Sequence, residues 1–387
     1  MLNAKRIFLL GATGSIGENT LKVIRNYPED FELVGVSADQ NTEKLASICK
    51  EFGVKTAAIT NLKSFNEIKG QSVFPAETKL LGGHSGLEEL ILSEKADMAV
   101  VAISGACALA PTLSAIGQGM DIALANKEAL VLGGSFILEA AQENNIQLLP
   151  IDSEHNAIFQ CLQGYRKEDL KSIILTASGG ACREVPLKDL KKFTPNEATQ
   201  HPNWKMGKKI TVDSSTMANK GLELIEAKWL FDLSIDQLKV VIHPQSIVHS
   251  FVEWVDGSIL AQLSPPSMTF PIQHCLHYPN KKPAIQPSLD FKKSLNLEFY
   301  PPDLDRYPCL ALAYEALKMS PYGGAIYNAA NEVAVERFLN GSIAFTDIPR
   351  LIENALLNIT TDNQFSLETL ISLDQETRTK TNEYNIG

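Results

Sequence analysis

The sequence predicts an α/β protein: a doubly wound parallel sheet, then a central α/β region and a C-terminal bundle of helices. Three observations support this fold class. Short apolar runs alternate with helical patterns through residues 1–150, β-type runs recur between 172 and 263, and only helical patterns follow Tyr307. With 387 residues, two or three domains are expected. We place them at 1–150, 151–285 and 309–387, joined by a proline-rich linker at 286–308.

Composition excludes several classes of function. The net charge of −10 argues against a general nucleic-acid binder, so an anionic ligand must be held by a local cluster of donors. The longest apolar runs, such as 99–103, are too short to cross a bilayer, which predicts no membrane association. The six cysteines are scattered and form no CxxC pair, which indicates reduced thiols in a cytosolic protein.

The first strand and the turn after it predict a nucleotide site. Residues 5–10 form an apolar run, and the glycines Gly11, Gly14 and Gly17 follow before an amphipathic helix. In a Rossmann-like domain such glycines allow the tight turn, the approach of a pyrophosphate and close helix packing. The spacing GxxGxxG differs from GxGxxG, so a plain βα turn is the alternative. The position early in the chain favours dinucleotide binding.

The end of the second predicted strand leaves the choice of dinucleotide open. Asp39, Gln40 and Asn41 stand where such folds meet the adenine ribose. An acidic residue there bonds the 2′-hydroxyl of NADH, which favours Asp39 in that role. Gln40 and Asn41 are neutral donors that suit the 2′-phosphate of NADPH.

A later strand end carries Asn126, Lys127 and Glu128. Ligands of doubly wound sheets lie outside the carboxyl ends of the strands, so we expect Lys127 to reach the nicotinamide or the substrate. An ordinary helix start with a Lys-Glu pair is the alternative.

A pair of carboxylates, Asp152 and Glu154, follows the next apolar run. In extended chain both would lie on one face, with Ser153 opposed. Two facing carboxylates repel each other unless a cation lies between them, and Mg²⁺ or Mn²⁺ prefers such oxygen ligands. The alternative is a solvated turn that caps the helix predicted from Asn156.

Two loops supply further candidates. Ser178 precedes two glycines, whose free N–H groups predict either an anion-binding nest or a tight turn. His201, Trp204 and Met206 lie in a segment, about 182–209, that is long enough to act as a lid.

The stretch after this loop predicts a short β run at 210–212 and a capped helix start at 213–215. Asn219, Lys220 and Glu223 then recur at helical spacing and share one face. An amide, an ammonium and a carboxylate suit a small anionic substrate and a metal, whereas a solvated helix face is the alternative.

Taken together, the motifs GATGSIG, ANKEALVLGG, PIDSEHNAIFQ, LTASGGA, HPNWKMGKKITVDSSTMANKGLELIEAKWLF and HPQSIVHS closely resemble those of the 1-deoxy-D-xylulose 5-phosphate reductoisomerase family. The resemblance covers essentially the whole chain. It implies an NADPH-binding domain, a catalytic domain with a flexible lid, a linker and a helical domain, assembled as a homodimer. It also implies an oxidoreductase that uses NADPH and Mg²⁺ or Mn²⁺ to convert its namesake substrate into 2-C-methyl-D-erythritol 4-phosphate, a step of isoprenoid biosynthesis.

The resemblance assigns roles to individual residues. The implied metal ligands are Asp152, Glu154 and Glu223. Around the phosphorylated sugar it places Lys127, Ser153, Ser178, His201, Ser214, Asn219 and Lys220, covered by Trp204 and Met206. On the cofactor it places Thr13, Gly14, Ser15, Ile16, Asn41, Asn126, Glu128 and Gly207. Many members have a small residue followed by a basic or polar one where this chain has Asp39 and Gln40, which leaves the strength of the NADPH preference open.

Two rival functions remain at this point. A semialdehyde dehydrogenase would need a nucleophilic cysteine, for which Cys107 and Cys161 are the candidates. A dinucleotide-sensing regulator would bind cofactor without turnover. For the reductoisomerase we expect a bacterial-type, cytoplasmic protein.

Overall fold

The protein is described by a computed structural model covering residues 4–204, 206–319, 321–360 and 364–386. Its strands are β1 (Lys5–Leu10), β2 (Phe31–Ala38), β3 (Thr56–Ile59), β4 (Lys79–Gly82), β5 (Met98–Val101), β6 (Asp121–Leu124), β7 (Leu148–Pro150), β8 (Leu170–Ala177), β9 (Leu238–Ile242), β10 (Val248–Trp254) and β11 (Ile259–Leu263).

Helices account for most of the remaining chain. They are α1 (Ser15–Asn26), α2 (Thr42–Phe52), α3 (Leu62–Ile68), α4 (Gly83–Ser93), α5 (Leu109–Gly117), α6 (Lys127–Glu143), α7 (Ser153–Leu162), α8 (Pro195–Ala198), α9 (Lys208–Thr216), α10 (Ala218–Phe231), α11 (Thr269–His277), α12 (Pro308–Lys318), α13 (Gly323–Leu339), α14 (Ile348–Asn358) and α15 (Leu367–Glu383). None of the helices in the described ranges combines the length and apolar character needed to traverse a lipid bilayer.

The chain forms two compact units. The first comprises the residues up to Ala129 together with Ile137–Asn156 and Met268–Pro287. The second comprises Leu130–Phe136, Ala157–Ser267 and the residues from Ser288 onwards. The sequence places 268–285 in the central region, whereas these residues, including α11, pack with the first unit.

The first unit contains a seven-stranded sheet in the order β4-β3-β2-β1-β5-β6-β7, and every pairing in it is parallel. The apolar run of β1 makes it the central strand, because Ile7, Phe8, Leu9 and Leu10 are all fully buried. Strand order reverses between β1 and β5. In a doubly wound sheet this switch point forms the ligand crevice at the carboxyl ends of the strands. The predicted α/β class and parallel sheet are confirmed.

The second unit contains a mixed four-stranded sheet in the order β11-β10-β8-β9 and the C-terminal helices. Strand β9 is parallel to β8, while β10 is antiparallel to β8 and to β11. Among the helices, α10 packs against α12, and α13 packs against α14 and α15. One apolar core joins these elements, with Tyr307 and Tyr327 among its largest fully buried side chains.

Candidate active site

The glycine turn after β1 has the geometry that the sequence predicts. Gly11 has φ +96°, and a Cβ there would lie 2.5 Å from the Ala102 carbonyl oxygen at the end of β5. A Cβ at Gly17 would lie 2.4 Å from the Ala12 carbonyl oxygen, so this glycine permits the tight helix start. Gly14 is the N-cap of α1 and no side chain caps it. Since a helix N-terminus attracts anions, the turn of Thr13, Gly14, Ser15 and Ile16 suits a pyrophosphate.

The corner after β2 is held by side-chain contacts. Asp39 accepts a hydrogen bond from the Thr60 hydroxyl at 3.0 Å, and Asn41 caps α2 by accepting from the Lys44 backbone N–H at 3.2 Å. Asp39, Gln40 and Asn41 are exposed. Lys44, which the sequence interpretation missed, lies 2.9 Å from the Thr13 carbonyl oxygen and 2.9 Å from Glu18. Its ammonium therefore links α2 to the glycine turn.

Hydrogen bonds from Asn126 connect the end of β6 to the loop after β5. Its side chain caps α6 by accepting from the Ala129 N–H at 2.6 Å, and it donates to the carbonyl oxygens of Ile103 at 2.8 Å and Gly105 at 3.0 Å. It also donates to Glu128 at 3.1 Å. Asn126 thus has a structural role in addition to any contact with a cofactor.

A buried ion pair joins Lys127 to Asp152 within the first unit. The ammonium lies 2.6 Å from Asp152 Oδ2, and both side chains are about one-tenth exposed or less. His155 Nδ1 lies 3.3 Å from Asp152 Oδ1. Burial alone would raise the pKa of Asp152, but Lys127 and His155 outweigh it and hold the pKa well below its usual range. Asp152 is therefore an anion at neutral pH.

The residues around Asp152 are helical, so the expected extended geometry is wrong. Helix α7 begins at Ser153, and the Asp152 side chain accepts from the Glu154 N–H at 3.2 Å. Asp152 acts as the helix cap that the sequence offered as the alternative, because its short carboxylate satisfies a free N–H of the first turn. The Ser153 hydroxyl donates to the Glu154 carboxylate.

In the second unit Ser178 and His201 form a pair. His201 Nε2 lies 2.8 Å from Ser178 Oγ, while His201 Nδ1 accepts from the N–H groups of Asn203 at 3.1 Å and Trp204 at 2.9 Å. Burial lowers the pKa of His201 to about 4, so the ring is neutral at pH 7. With Nδ1 accepting, the single ring proton lies on Nε2 and is donated to Ser178.

Ser178 is consequently arranged as a donor. Its oxygen accepts from His201 and, at 3.1 Å, from the Gly180 N–H. The hydroxyl proton of Ser178 then points away from both donors, as an anionic ligand requires. A Cβ at Gly180 would lie 2.5 Å from the Ser214 carbonyl oxygen, so this turn packs directly on the end of α9.

The predicted β run at 210–212 and helix start at 213–215 are wrong. These residues lie inside α9, which begins at Lys208 with Gly207 as its N-cap. The Thr211 hydroxyl bonds back to the Gly207 carbonyl at 2.8 Å, and Val212 is fully buried, so packing overrides the β propensity of these residues. The Ser214 hydroxyl donates to the Ile210 carbonyl at 3.0 Å.

Helix α10 brings together the three residues that spacing predicts. Asn219 donates to Glu223 Oε1 at 2.5 Å, and the Lys220 ammonium bonds Glu223 Oε2. Lys220 is 3% exposed and Glu223 is 1% exposed, which rules out a solvated face. A buried ammonium and carboxylate beside the half-buried Asn219 amide offer donors to an anion and an oxygen ligand to a metal.

The predicted lid residues lie on a loop that contacts the β9–β10 turn. Asn203 donates to the Pro244 carbonyl at 2.6 Å and to the Ser246 hydroxyl at 3.0 Å. The Trp204 ring lies 6.4 Å from the His249 ring in an edge-on arrangement. Met206 is half-buried. Asn203 and His155 carried no sequence signal, because their partners are set by turns and caps that periodicity does not predict.

Comparison with known proteins gives a consistent family. A profile described as 1-deoxy-D-xylulose 5-phosphate reductoisomerase matches residues 7–134. Two C-terminal domain profiles of the same reductoisomerase match residues 148–231 and 263–380.

Full-length relatives agree. The chain is 46% identical to the 1-deoxy-D-xylulose 5-phosphate reductoisomerase of Thermoanaerobacter pseudethanolicus, over 97% of this chain and 98% of that protein. It superposes on the Zymomonas mobilis reductoisomerase in complex with NADPH with a TM-score of 0.91 and 40% identity, covering 98% of both chains. A DOX-P reductoisomerase in complex with NADPH, fosmidomycin and magnesium gives a TM-score of 0.92 and 39% identity, covering 97% of both chains. The chain belongs to the 1-deoxy-D-xylulose 5-phosphate reductoisomerase family.

Proposed function

We propose that this protein rearranges and reduces 1-deoxy-D-xylulose 5-phosphate to 2-C-methyl-D-erythritol 4-phosphate, using NADPH and a divalent metal ion, in the non-mevalonate route to isoprenoids. The observation that carries this proposal is the family match, which extends over nearly the whole chain. Relatives of the same fold bind NADPH and magnesium.

For the metal ion we propose Asp152, Glu154 and Glu223 as ligands. The donor set fits a hard cation, because all three supply carboxylate oxygens and Asp152 stays ionised through its low pKa. Either Mg²⁺ or Mn²⁺ suits this chemistry. When bound, such an ion would act as a Lewis acid on the substrate's carbonyl and hydroxyl oxygens. Lys127 and Lys220 offset part of the negative charge around these carboxylates.

For the substrate we propose that the phosphate is held by uncharged donors and one ammonium. The Ser178 hydroxyl is oriented outward by His201 and Gly180, and the backbone of Ser214 packs against Gly180. The set proposed around the whole phosphorylated sugar is Lys127, Ser153, Ser178, His201, Ser214, Asn219 and Lys220, of which Lys220 supplies the ammonium at the phosphate. Because His201 is neutral, its part is to orient Ser178 rather than to supply charge.

For the cofactor we propose the turn after β1, the corner after β2 and the start of α6. The residues are Thr13, Gly14, Ser15, Ile16, Asp39, Gln40, Asn41, Asn126, Glu128 and Gly207. A nicotinamide held by these residues would supply a hydride to the substrate aldehyde, which we propose forms when the carbon skeleton rearranges, most simply by retro-aldol cleavage and re-aldolisation. We further propose that Trp204 and Met206, within the segment 182–209, cover the substrate and exclude water during these steps.

The rival functions lose support. Burial raises the pKa of the Cys161 thiol to about 11, which is the opposite of what a nucleophilic cysteine requires. The Cys107 thiol donates to the Ser104 carbonyl oxygen at 3.3 Å. A sensor of dinucleotides gives no reason for the buried Lys220–Glu223 pair.

The test is oxidation of NADPH in the presence of 1-deoxy-D-xylulose 5-phosphate, with and without Mg²⁺ or Mn²⁺, for the wild type and Glu223→Gln. We expect metal-dependent turnover that the variant loses by more than the roughly 10- to 100-fold typical of outer-shell partners of a metal. Glu253→Gln is the matched control, because Glu253 also pairs with lysines in the second unit, at 2.8 Å from Lys171 and Lys239. Absence of wild-type turnover with every metal would refute the proposal.

The assembly and location remain predictions from the sequence. We propose a homodimer in the cytoplasm that binds neither nucleic acid nor membranes. The net charge of −10 supports the absence of nucleic-acid binding.

A further inference from the structure

The carbonyl oxygens of the turn after β8 are held by side chains that come from outside the proposed substrate set. The Ser178 carbonyl accepts from Arg183 Nη1 at 2.9 Å. The Gly179 carbonyl accepts from the Tyr307 hydroxyl at 2.9 Å, across 128 positions of sequence. Gly179 and Gly180 have φ of +83° and +66°, a conformation that two consecutive glycines permit. The two successive peptide groups of this turn, Ser178–Gly179 and Gly179–Gly180, are therefore each held through their carbonyl oxygen.

Fixing a carbonyl also fixes the amide of the same peptide group. A trans peptide is planar, so its N–H points opposite to its C=O. The bond from Arg183 directs the Gly179 N–H away from Arg183, and the bond from Tyr307 directs the Gly180 N–H away from Tyr307. The structure agrees for the second group, because the Gly180 N–H donates to Ser178 Oγ at 3.1 Å. The Gly180 amide is thereby held against the Ser178 oxygen, which helps to orient the Ser178 hydroxyl.

Tyr307 is well suited to this task. It is fully buried and precedes α12, so its ring is immobilised in the core of the second unit. Burial raises the pKa of Tyr307, which keeps its hydroxyl protonated and donating. The neighbouring Arg306 donates to the carbonyl oxygens of Cys182 at 3.0 Å and Val185 at 2.6 Å. The residues just before α12 thus hold both the turn and the segment that follows it.

We propose that Tyr307 and Arg183 are positioning residues for the substrate phosphate: by holding the Gly179 and Ser178 carbonyls they fix the Ser178–Gly180 turn and so orient the Ser178 hydroxyl towards the phosphate oxygens. This inference rests on the proposed function, because it takes the phosphate to bind at Ser178. Neither residue touches the substrate. Their effect belongs to phosphate affinity and not to the cofactor.

The decisive variant is Tyr307→Phe, which removes one hydroxyl. Its matched control is Tyr327→Phe, because Tyr327 is also fully buried and donates to a backbone carbonyl, that of Cys309, at the same 2.9 Å. Both variants should lose similar thermal stability. Only Tyr307→Phe should raise the KM for 1-deoxy-D-xylulose 5-phosphate and the inhibition constant of inorganic phosphate, each by roughly five- to tenfold, with kcat and the KM for NADPH within about twofold of wild type.

The inference is overturned if the phosphate inhibition constant of Tyr307→Phe equals that of Tyr327→Phe. Should Tyr307→Phe fail to fold, Arg183→Gln decides between the outcomes, since the Arg183 side chain is 28% exposed and its loss spares the core. Arg183→Gln is expected to weaken phosphate inhibition in the same way, and an unchanged inhibition constant would overturn the inference. If wild-type protein does not turn over the substrate at all, the proposed function fails first, which separates the two outcomes.

Discussion

We predict that one carboxylate, Asp39, weakens the binding of NADPH. It lies exposed after β2 and is fixed by its hydrogen bond from Thr60 at 3.0 Å. A carboxylate near the ribose favours the 2′-hydroxyl of NADH and repels the 2′-phosphate of NADPH. Two unit charges about 4 Å apart in water interact by about 1 kcal/mol, which corresponds to roughly fivefold in affinity. Asp39→Asn, which keeps an oxygen for Thr60, should therefore lower the KM for NADPH by roughly fivefold.

NADH serves as the internal control for this variant. It lacks the 2′-phosphate, so its KM should stay unchanged or rise. Steady-state KM values for both cofactors at saturating substrate and metal give the answer. Equal changes for NADPH and NADH would show that Asp39 acts on the fold of the corner and not on the 2′-phosphate.

At the scale of elements, the junction of α9 and α10 depends on Met217. This residue has φ +61° and is 1% exposed, so it carries backbone strain while its side chain fills the core. Met217→Gly would remove about 1–2 kcal/mol of left-handed strain but lose about 2–5 kcal/mol of buried side chain. The midpoints of these ranges differ by about 2 kcal/mol, so we expect a net loss of about that size in the free energy of unfolding, measured by denaturant titration.

Asn145→Gly is the control for placing glycine at a left-handed position without losing a buried side chain. Asn145 also has a positive φ, +52°, but it is exposed. Because asparagine tolerates the left-handed conformation, its replacement should change the free energy of unfolding by less than about 0.5 kcal/mol. A Met217→Gly protein as stable as the wild type would mean that strain, and not packing, dominates this junction.

The helices and strands also show which parts of the secondary structure can be predicted from the sequence. The alternation of apolar runs and helical patterns predicted for residues 1–150 is confirmed at helix α2, Thr42–Phe52, which Asn41 caps, and at the buried strand β3, Thr56–Ile59. The extended conformations predicted at 152–154 and 210–212 are wrong, since α7 and α9 occupy these positions. There, cap residues and tertiary packing decide the conformation, and β-branched or alternating patterns mislead.

At the scale of the whole molecule, some contacts of the candidate site follow from the sequence and others require the fold. The face of Asn219, Lys220 and Glu223 follows from helical spacing alone and is confirmed as one cluster. The bond from Tyr307 to Gly179 could not be predicted, since it joins residues 128 positions apart and depends on how the linker returns to the sheet. Local periodicity finds residues on one element, whereas contacts between distant elements require the fold.

The loss of stability in acid is a property of the whole molecule, and we expect histidines with lowered pKa values to govern it. Burial lowers the pKa of His201 and of His274 to about 4, from 6.5 in a free histidine. Between pH 6.5 and 4 the unfolded chain binds protons that the folded protein does not, so the free energy of unfolding falls as the pH falls through this window. Each such histidine contributes at most about 1.4 kcal/mol per pH unit, and partial exposure reduces this value.

Thermal melts between pH 7.5 and 5 measure the effect. We expect the melting temperature to fall below pH 6.5, and the fall to be shallower in His201→Gln and in His274→Gln, because glutamine takes up no proton. His84→Gln is the control, since His84 is exposed and its replacement removes no buried imidazole. If both buried-site variants lose melting temperature with pH as steeply as His84→Gln, proton uptake by these two histidines does not govern acid stability. The loss would then have to come from other groups that titrate in this range, because Asp152, whose pKa is held low by Lys127, stays ionised until stronger acid.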